Sequence, residues 1–385
     1  MIYLLIALFL FSAIILYDVK NFPIGEKQTL FLIFIILTLF SAFRYRVGGD
    51  SLLYEDFYPT LKKLTDLTSL KSFENDLSYQ PLWIVFISIT RTISEEYAFF
   101  QFVHAIVFNT ILFSFVRKYV SKPFTYIFLF YISMLYVYYE WEIQRESLAV
   151  VFFLLNIKNL ISRKWGKYYL LAFISYMFHQ SAFILFFIPF LRNVSFSSKF
   201  IIITFIFALS FLLLRGIGID IVRFFLVTND MKLKYDIYSE RNFNLNGIIV
   251  YFIIRLVLFL PLAFSPLTKN LNYKDWNWFF VIFTLISAIS PFMSGSERFL
   301  NYFYPIYILV VVDFIYNSTK YIGRNDIRRK IILTSLYIQL FFVIEYKLFS
   351  SNKYGNYYSL FYPYVSIFDP VKVPEREYYN WNVAR

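Results

Sequence analysis

Three short stretches of the chain carry side chains suited to moving a proton and steadying an anion. The first, Phe43 to Tyr58, reads FRYRVGGDSLLYEDFY. Arg44 and Arg46, a Gly-Gly pair that lets backbone approach a ligand, and then Asp50 make a site for a phosphate and a hydroxyl. The same two arginines also read as charges that end a span at the headgroups. The second stretch, Glu140 to Glu146, reads EWEIQRE and sets Glu142 and two further carboxylates around Arg145, which opens a helix with Ala149 one turn on. Either an acceptor and an anion are held there, or an ordinary acidic loop closes on its own ion pair. The third, SGSER at Ser294 to Arg298, puts Glu297 and Arg298 at the start of an apolar run. Free N–H groups and the helix dipole attract anions at such a place.

Arg255 stands eight residues inside the apolar run that begins at Gly247. That is about 12 Å deep at 1.5 Å per residue. A charge there costs roughly 2.5 to 3.5 kcal/mol unless it faces water, a partner or a ligand. It holds a diphosphate whose lipid tail lies in the bilayer, or it snorkels or pairs structurally. His179, inside the FHQS interruption of a long apolar stretch, is a group satisfied by neighbouring helices or part of a wet cavity. His104, mid-span with Asn109 nearby, reads as helix-packing glue. Tyr136, Tyr138, Tyr139 and Trp141 read as an interfacial belt, or as a surface on which sugar rings stack.

The elements that must position these groups follow from composition. Of 385 residues, 59% are hydrophobic, 23% aromatic and only 16% charged, which is too apolar for a chain dispersed in water. The expected fold class is all-α, a polytopic transmembrane helical bundle in a single membrane-embedded domain, 1–385. Apolar stretches long enough to cross about 30 Å of hydrocarbon occur at 1–17, 28–43, 98–116, 123–139, 147–161, 199–214, 247–264, 277–293, 299–316 and 331–348. These give about ten full spans. The run 81–93 is too short and reads as a re-entrant or interfacial helix; 168–191 reads as a broken helical hairpin that enters and leaves on one side.

Charge decides the orientation. With the N-terminus outside, the loops assigned to the cytoplasm carry 17 Lys and Arg in 56 residues, and the opposite loops carry 17 in 135. Making 168–191 a single crossing erases that asymmetry. The loops 44–97 and 215–246 and the tail 349–385 then face outward. The formal charge of +12 is accounted for by this rule, and no nucleic-acid partner is expected. The first span, with no basic residue before it and no small-residue cleavage site after it, reads as an anchor.

The absence of cysteine excludes thiolate catalysis, disulfides and Cys-ligated metal. No phosphate-binding glycine loop, dinucleotide fingerprint, zinc-protease motif or serine nucleophile elbow occurs, so any energy source comes with the substrate. No cofactor is expected; a divalent ion at Asp50 is compatible with the spacing and not demanded by it.

In this order the motifs resemble the EpsG-type, Wzy-like polymerases of bacterial surface polysaccharides. The resemblance rests on Arg46, Gly49, Asp50 and Tyr54; on Arg145 and Ala149; on Phe178, His179, Ser181 and Ala182; and on Glu297, Arg298, Tyr302 and Tyr304. The tail sequence YPY, with Tyr364, adds a weaker match. Glu146 departs from the glutamine that follows the arginine of the second motif in that family. The resemblance implies a GT-C-like membrane glycosyltransferase that joins undecaprenyl-diphosphate-linked oligosaccharide repeat units into an O-antigen, capsule or exopolysaccharide. The site would face outward from the cytoplasmic (inner) membrane, with a chain-length regulator and a flippase as partners. Asp50 is then the expected base, with Glu142 and Glu297 as alternatives; Arg145, Arg298 and Arg255 are expected on the diphosphate, supported by Arg44 and Arg46. Tyr54, His179 and Tyr364 complete the expected substrate contacts. The rival readings are a flippase or transporter of the same lipid-linked unit, for which Arg255 and the broken helix also speak, and a polysaccharide ligase or acyltransferase.

Overall fold

A computed structural model describes residues 1–73, 79–213, 273–290, 296–321, 327–340, 351–352 and 354–383. The chain divides into two compact units, one made of Met1–Leu185 and Ile344–Arg385, the other of Phe186–Val343. Among the described residues the secondary structure is helical apart from one hairpin of two-residue strands and an isolated bridge. The expected all-α class is what the chain forms.

In the first unit, α1 (Ile2–Ala13) runs on into a π-helical turn at Ile14–Val19, and α2 (Glu26–Ala42) starts after Gly25, whose φ of 81° only glycine adopts freely. Next come α3 (Gly49–Phe57) and α4 (Pro81–Ile93), which opens on a proline whose missing N–H a helix start does not need. The long helix α5 (Tyr97–Tyr119) has Arg117 and Lys118 in its last turn, where they offset the dipole. After it come α6 (Pro123–Ile132), α7 (Leu135–Val137), α8 (Gln144–Ile161) and α9 (Trp165–Phe178). The stretches Ile2–Val19 and Tyr97–Tyr119 are long and apolar enough to cross a membrane. At 1.5 Å per residue the latter measures about 35 Å.

Every expected span that falls on described residues is helical, with two adjustments. The stretch 123–139 breaks at Ser133 and Met134, the latter at φ 58°, and resumes as α7 and a π-helical turn at Tyr138–Glu142. The stretch at 299–316 begins late: Ser296–Tyr302 is a 3-10 turn, and the α-helix starts at Tyr304. The span expected at 247–264, the loop expected at 215–246 and residues 341–348 of the last expected span lie outside the described residues. The expected break in 168–191 is present, with His179 extended (φ −152°) between α9 and a 3-10 segment at Gln180–Phe187. The run 81–93 forms α4, too short at 13 residues to span and packed on α5 and α9.

Helices α2, α5, α8 and α9 pack in sequence, α5 lying against both α2 and α8. Polar side chains fasten them at depth. Asn109 donates to Thr38 Oγ1 (3.1 Å) and the Tyr136 hydroxyl (3.0 Å), and Asn156 donates to the Tyr168 carbonyl (2.8 Å). In apolar surroundings such bonds hold helices in register, because an unpaired polar group has no water to turn to. At the foot of α6, Asp18 accepts from the Thr125 N–H (2.6 Å) and hydroxyl (2.7 Å), capping the helix from another element.

The second unit contains α10 (Ile188–Leu191), α11 (Ser198–Leu213), α12 (Tyr273–Ile289), α13 (Tyr304–Tyr321) and α14 (Ile327–Leu340). Asn277 on α12 pairs with both the Phe196 N–H (2.9 Å) and the Val194 carbonyl, tying α12 to the start of α11. The tail supplies the strands β1 (Ser351–Asn352) and β2 (Gly355–Asn356), a 3-10 turn at Tyr357–Leu360 and α15 (Pro374–Val383). Exposed Leu4, Leu8 and Phe11 on α1 and Ile202, Phe205 and Ile206 on α11 give both helices an apolar outer surface suited to lipid.

Candidate active site

The segment between α2 and α3 wraps around the Arg44 side chain. That guanidinium, 1% exposed, donates to the carbonyls of Ser41, Val47 (3.3 Å) and Glu140 (3.2 Å) and to Ser51 Oγ (2.7 Å), and lies over the Trp141 ring at 5.6 Å. Its donors are directed to the framework. The main chain on either side pairs with the tail: Tyr45 N–H donates to the Val365 carbonyl (2.8 Å) and Ile367 N–H to that of Phe43 (2.9 Å).

Arg46 adopts φ 50°, uncommon for a residue with a Cβ. Its guanidinium forms a two-pronged pair with Glu377 (2.6 and 2.7 Å) and a third bond to Asp56 (2.8 Å). Burial opposes its charge, and the two carboxylates outweigh that and hold it above the ordinary arginine range. Both arginines of the first motif are therefore engaged inside the protein.

Gly48 and Gly49 have a local task as well. Gly48 sits at φ 97°, and a Cβ there would come within 2.6 Å of the Trp141 backbone oxygen; one on Gly49 would come within 2.9 Å of the Glu142 carboxylate. The close approach expected of this pair is made to the Trp141–Glu142 turn. Glu142 accepts from the Gly49 N–H (2.8 Å), placing a carboxylate on the first turn of α3, where the dipole favours it.

Asp50 is the second residue of α3, half-buried, with Arg145 among the charges that act on it. Arg145 comes from the start of α8. Its Nε donates to the Tyr54 hydroxyl (2.7 Å) and its guanidinium stacks over Tyr79 at 4.5 Å. Burial works against the Arg145 charge, but Tyr54, Asp50 and Tyr79 together raise its pKa. Burial raises the Tyr79 phenol to about 12, against the pull of Arg145, and lifts Tyr54 and Tyr357 well above the usual phenol range. Tyr357 also feels Glu142 and Asp50. Thus Asp50, Glu142, Arg145, Tyr54, Tyr79 and Tyr357 share one neighbourhood: two carboxylates, a permanent cation and three neutral phenols. Such a set can accept a proton from a hydroxyl and hold an anion.

His179 and Tyr364 make their hydrogen bonds outside that cluster. His179 bonds through Nδ1 to Ser181 Oγ (2.6 Å) and is buried at the C-terminal end of α9. The Tyr364 hydroxyl donates to the Phe40 carbonyl (3.0 Å), and its ring stacks on Phe40 at 5.0 Å. Glu297 and Arg298 belong to the second unit, in the 3-10 turn ahead of α13 and not at an α-helix N-terminus; the Arg298 side chain is exposed. Arg255 lies outside the described residues. Tyr136, Tyr139 and Trp141 are buried in the protein core, so of this cluster only Tyr138 is partly exposed.

Sequence reasoning passed over Asp56, Tyr79, Tyr357, Arg376 and Glu377. Arg376, fully buried, donates to three carbonyls, those of Arg46 (2.7 Å), Ser359 (3.0 Å) and Pro363. Burial lowers its pKa to about 10. The charged run PERE in an otherwise aromatic tail was the available signal.

No curated protein and no solved structure matches the chain. A family model does, that of the EpsG family, over residues 27–366. This interval contains every motif from Arg44 to Tyr364 and stops short of α15. The chain belongs to the EpsG family and is a polysaccharide-polymerase-like membrane protein.

Proposed function

We propose that this protein is a glycosyltransferase of the bacterial cytoplasmic membrane that polymerises undecaprenyl-diphosphate-linked oligosaccharide repeat units, in a GT-C-like bundle with its site on the outer side. The observation that carries this reading is that Arg145, from the second motif, donates to Tyr54 (2.7 Å) one turn along α3 from Asp50 of the first, close enough for the two charges to act on each other. The transfer requires an acceptor sugar hydroxyl to attack the anomeric carbon of the donor. The bond from that carbon to the diphosphate oxygen breaks, and its electron pair leaves with the lipid diphosphate. Asp50 takes the hydroxyl proton. Arg145, which keeps its charge at any working pH, faces the charge that develops on the leaving oxygen. Tyr54 and Tyr79 fix the guanidinium plane, and Glu142 fixes the turn that carries Asp50. On their sequence motifs and positions alone, Arg298 and Arg255 are proposed for the rest of the diphosphate lipid and Glu297 as the alternative base. Arg44, Arg46 and Tyr364 build the frame. A chain-length regulator and a flippase act beside the enzyme.

The test is a gel of surface and lipid-linked glycans from a strain lacking the gene, complemented with wild type, Asp50→Asn or Arg145→Gln. The deletion is expected to leave single repeat units and no ladder. Wild type restores the ladder, and each variant lowers polymerisation by about 10²- to 10⁴-fold at normal protein level. An unchanged ladder in the deletion strain overturns the polymerase reading; a full ladder from Asp50→Asn overturns the base assignment. Repeat units trapped on the inner leaflet would point to transport, and long polymer left on the carrier to a ligase.

A further inference from the structure

We propose that α15 is a clamp that sets the position of Asp50, with Arg376 and Glu377 as positioning residues for the transfer; this rests on the assignment of Asp50 as the base. The segment from Arg44 to Gly49 has little regular hydrogen bonding of its own and includes two residues, Arg46 and Gly48, at positive φ. Such a segment holds one shape only when its surroundings over-determine it. The tail supplies those surroundings. Arg376 seizes the Arg46 carbonyl, Glu377 seizes the Arg46 side chain, and the Leu360 carbonyl accepts from the Gly48 N–H (2.8 Å). The Arg46 guanidinium reaches onward to Asp56 in the last turn of α3, so one side chain ties the helix's far end to the loop that begins it.

The same Arg376 guanidinium gathers Ser359 and Pro363, which flank the segment carrying Leu360 and Phe361. Movement of α15 is therefore transmitted to Arg46 by main chain and side chain together, and Asp50 follows four residues later on a short helix. None of these clamp groups needs to touch substrate. Both positioning residues also lie beyond the interval that matches the family, residues 27–366.

The experiment uses the full chain in lipid vesicles, with the undecaprenyl-diphosphate-linked repeat unit isolated from the deletion strain as substrate. Glu377→Gln keeps the shape and removes the charge; Arg376→Lys keeps the charge and loses the fork that reaches three carbonyls. Both are expected to lower kcat about 10- to 100-fold with KM within about twofold, while Glu377→Asp recovers much of the turnover. Hydrogen exchange in peptides covering 43–58 is expected to quicken in the two impaired variants, along with the tail peptides from 357 onward that Arg376 and Glu377 belong to or hold, and not in the rest of the first unit. Unchanged kcat per folded molecule, or loss in parallel with global unfolding, overturns the clamp. If wild type does not elongate the substrate, the polymerase reading fails, and the exchange data still decide whether α15 holds the loop.

Discussion

Glu55 shares α3 with Asp50 and lies largely out of water, and burial is the main reason its carboxyl is pushed up to about 7; Arg46 opposes the shift and Asp56 adds to it. A carboxyl held above its ordinary value favours the folded state most when protonated. Its contribution is complete below about pH 4.5 and is lost as pH rises through 7. Glu55→Gln removes that loss, and should make the protein more stable than wild type by roughly 2 kcal/mol above pH 8, with little difference at pH 4.5. Thermal unfolding in detergent at a series of pH values measures it; parallel curves for the two proteins would refute it. Glu55 shows what residue types disclose and what they hide. Asp50 and Arg145 drew notice in the sequence because a carboxylate after a Gly-Gly pair and an arginine opening a helix among carboxylates suit a hydroxyl and an anion, although the same stretches also read as a span end and an ordinary acidic loop. Arg44 and Arg46 stood out for the same reason, yet their charges are absorbed by carbonyls and carboxylates up to 331 positions away, and no local pattern encodes such partners.

At the scale of elements, a buried polar pair joins α5 to the π-helical turn Tyr138–Glu142 that leads into α8. His104 Nδ1 lies 3.2 Å from the Glu140 carboxylate, and Nε2 lies 3.0 Å from the Gln144 carbonyl. Both groups are essentially without solvent contact. Removing one partner strands the other in an apolar interior, which costs about 3 to 5 kcal/mol, whereas replacing both by apolar residues restores most of it. His104→Leu and Glu140→Leu should each lower the folded yield sharply, and the double variant should recover it. Independent, additive losses in this cycle would show that the pair is not coupled. The reading of His104 and Asn109 as packing groups was available from their place in an apolar run. Helix existence was legible for the same reason, since long apolar stretches leave the backbone no other way to satisfy its N–H and C=O groups. Helix ends were less so: the break at Ser133–Met134 and the 3-10 start before Tyr304 arise from packing that periodicity does not register.

For the whole molecule, the positive-inside count assigns sides to the loops, and the absence of cysteine makes that assignment measurable one position at a time. A single cysteine at Lys372, exposed in the tail, should react with a membrane-impermeant maleimide in intact spheroplasts. One at Lys164, exposed between α8 and α9, should react only after permeabilisation. The reverse pattern would invert the topology and place the Asp50 cluster on the cytoplasmic side. Charge distribution thus predicts sidedness, but the tail's role was invisible to it, because strand-like pairing of 365–367 with 43–45 and the grip of α15 depend on three-dimensional closure alone.

That closure also fixes an order of events. Arg46 leaves the ribosome some 330 residues before Glu377, so at about 5 to 20 residues per second the first loop spends tens of seconds without the groups that shape it. Once Arg145 has been made, and until α15 follows, the nascent chain carries Asp50 and Arg145 but not the contacts that hold the segment ahead of Asp50, and a message cut short before codon 374 yields a chain without them. If α15 is the proposed clamp, full turnover is postponed until Pro374–Val383 has been made.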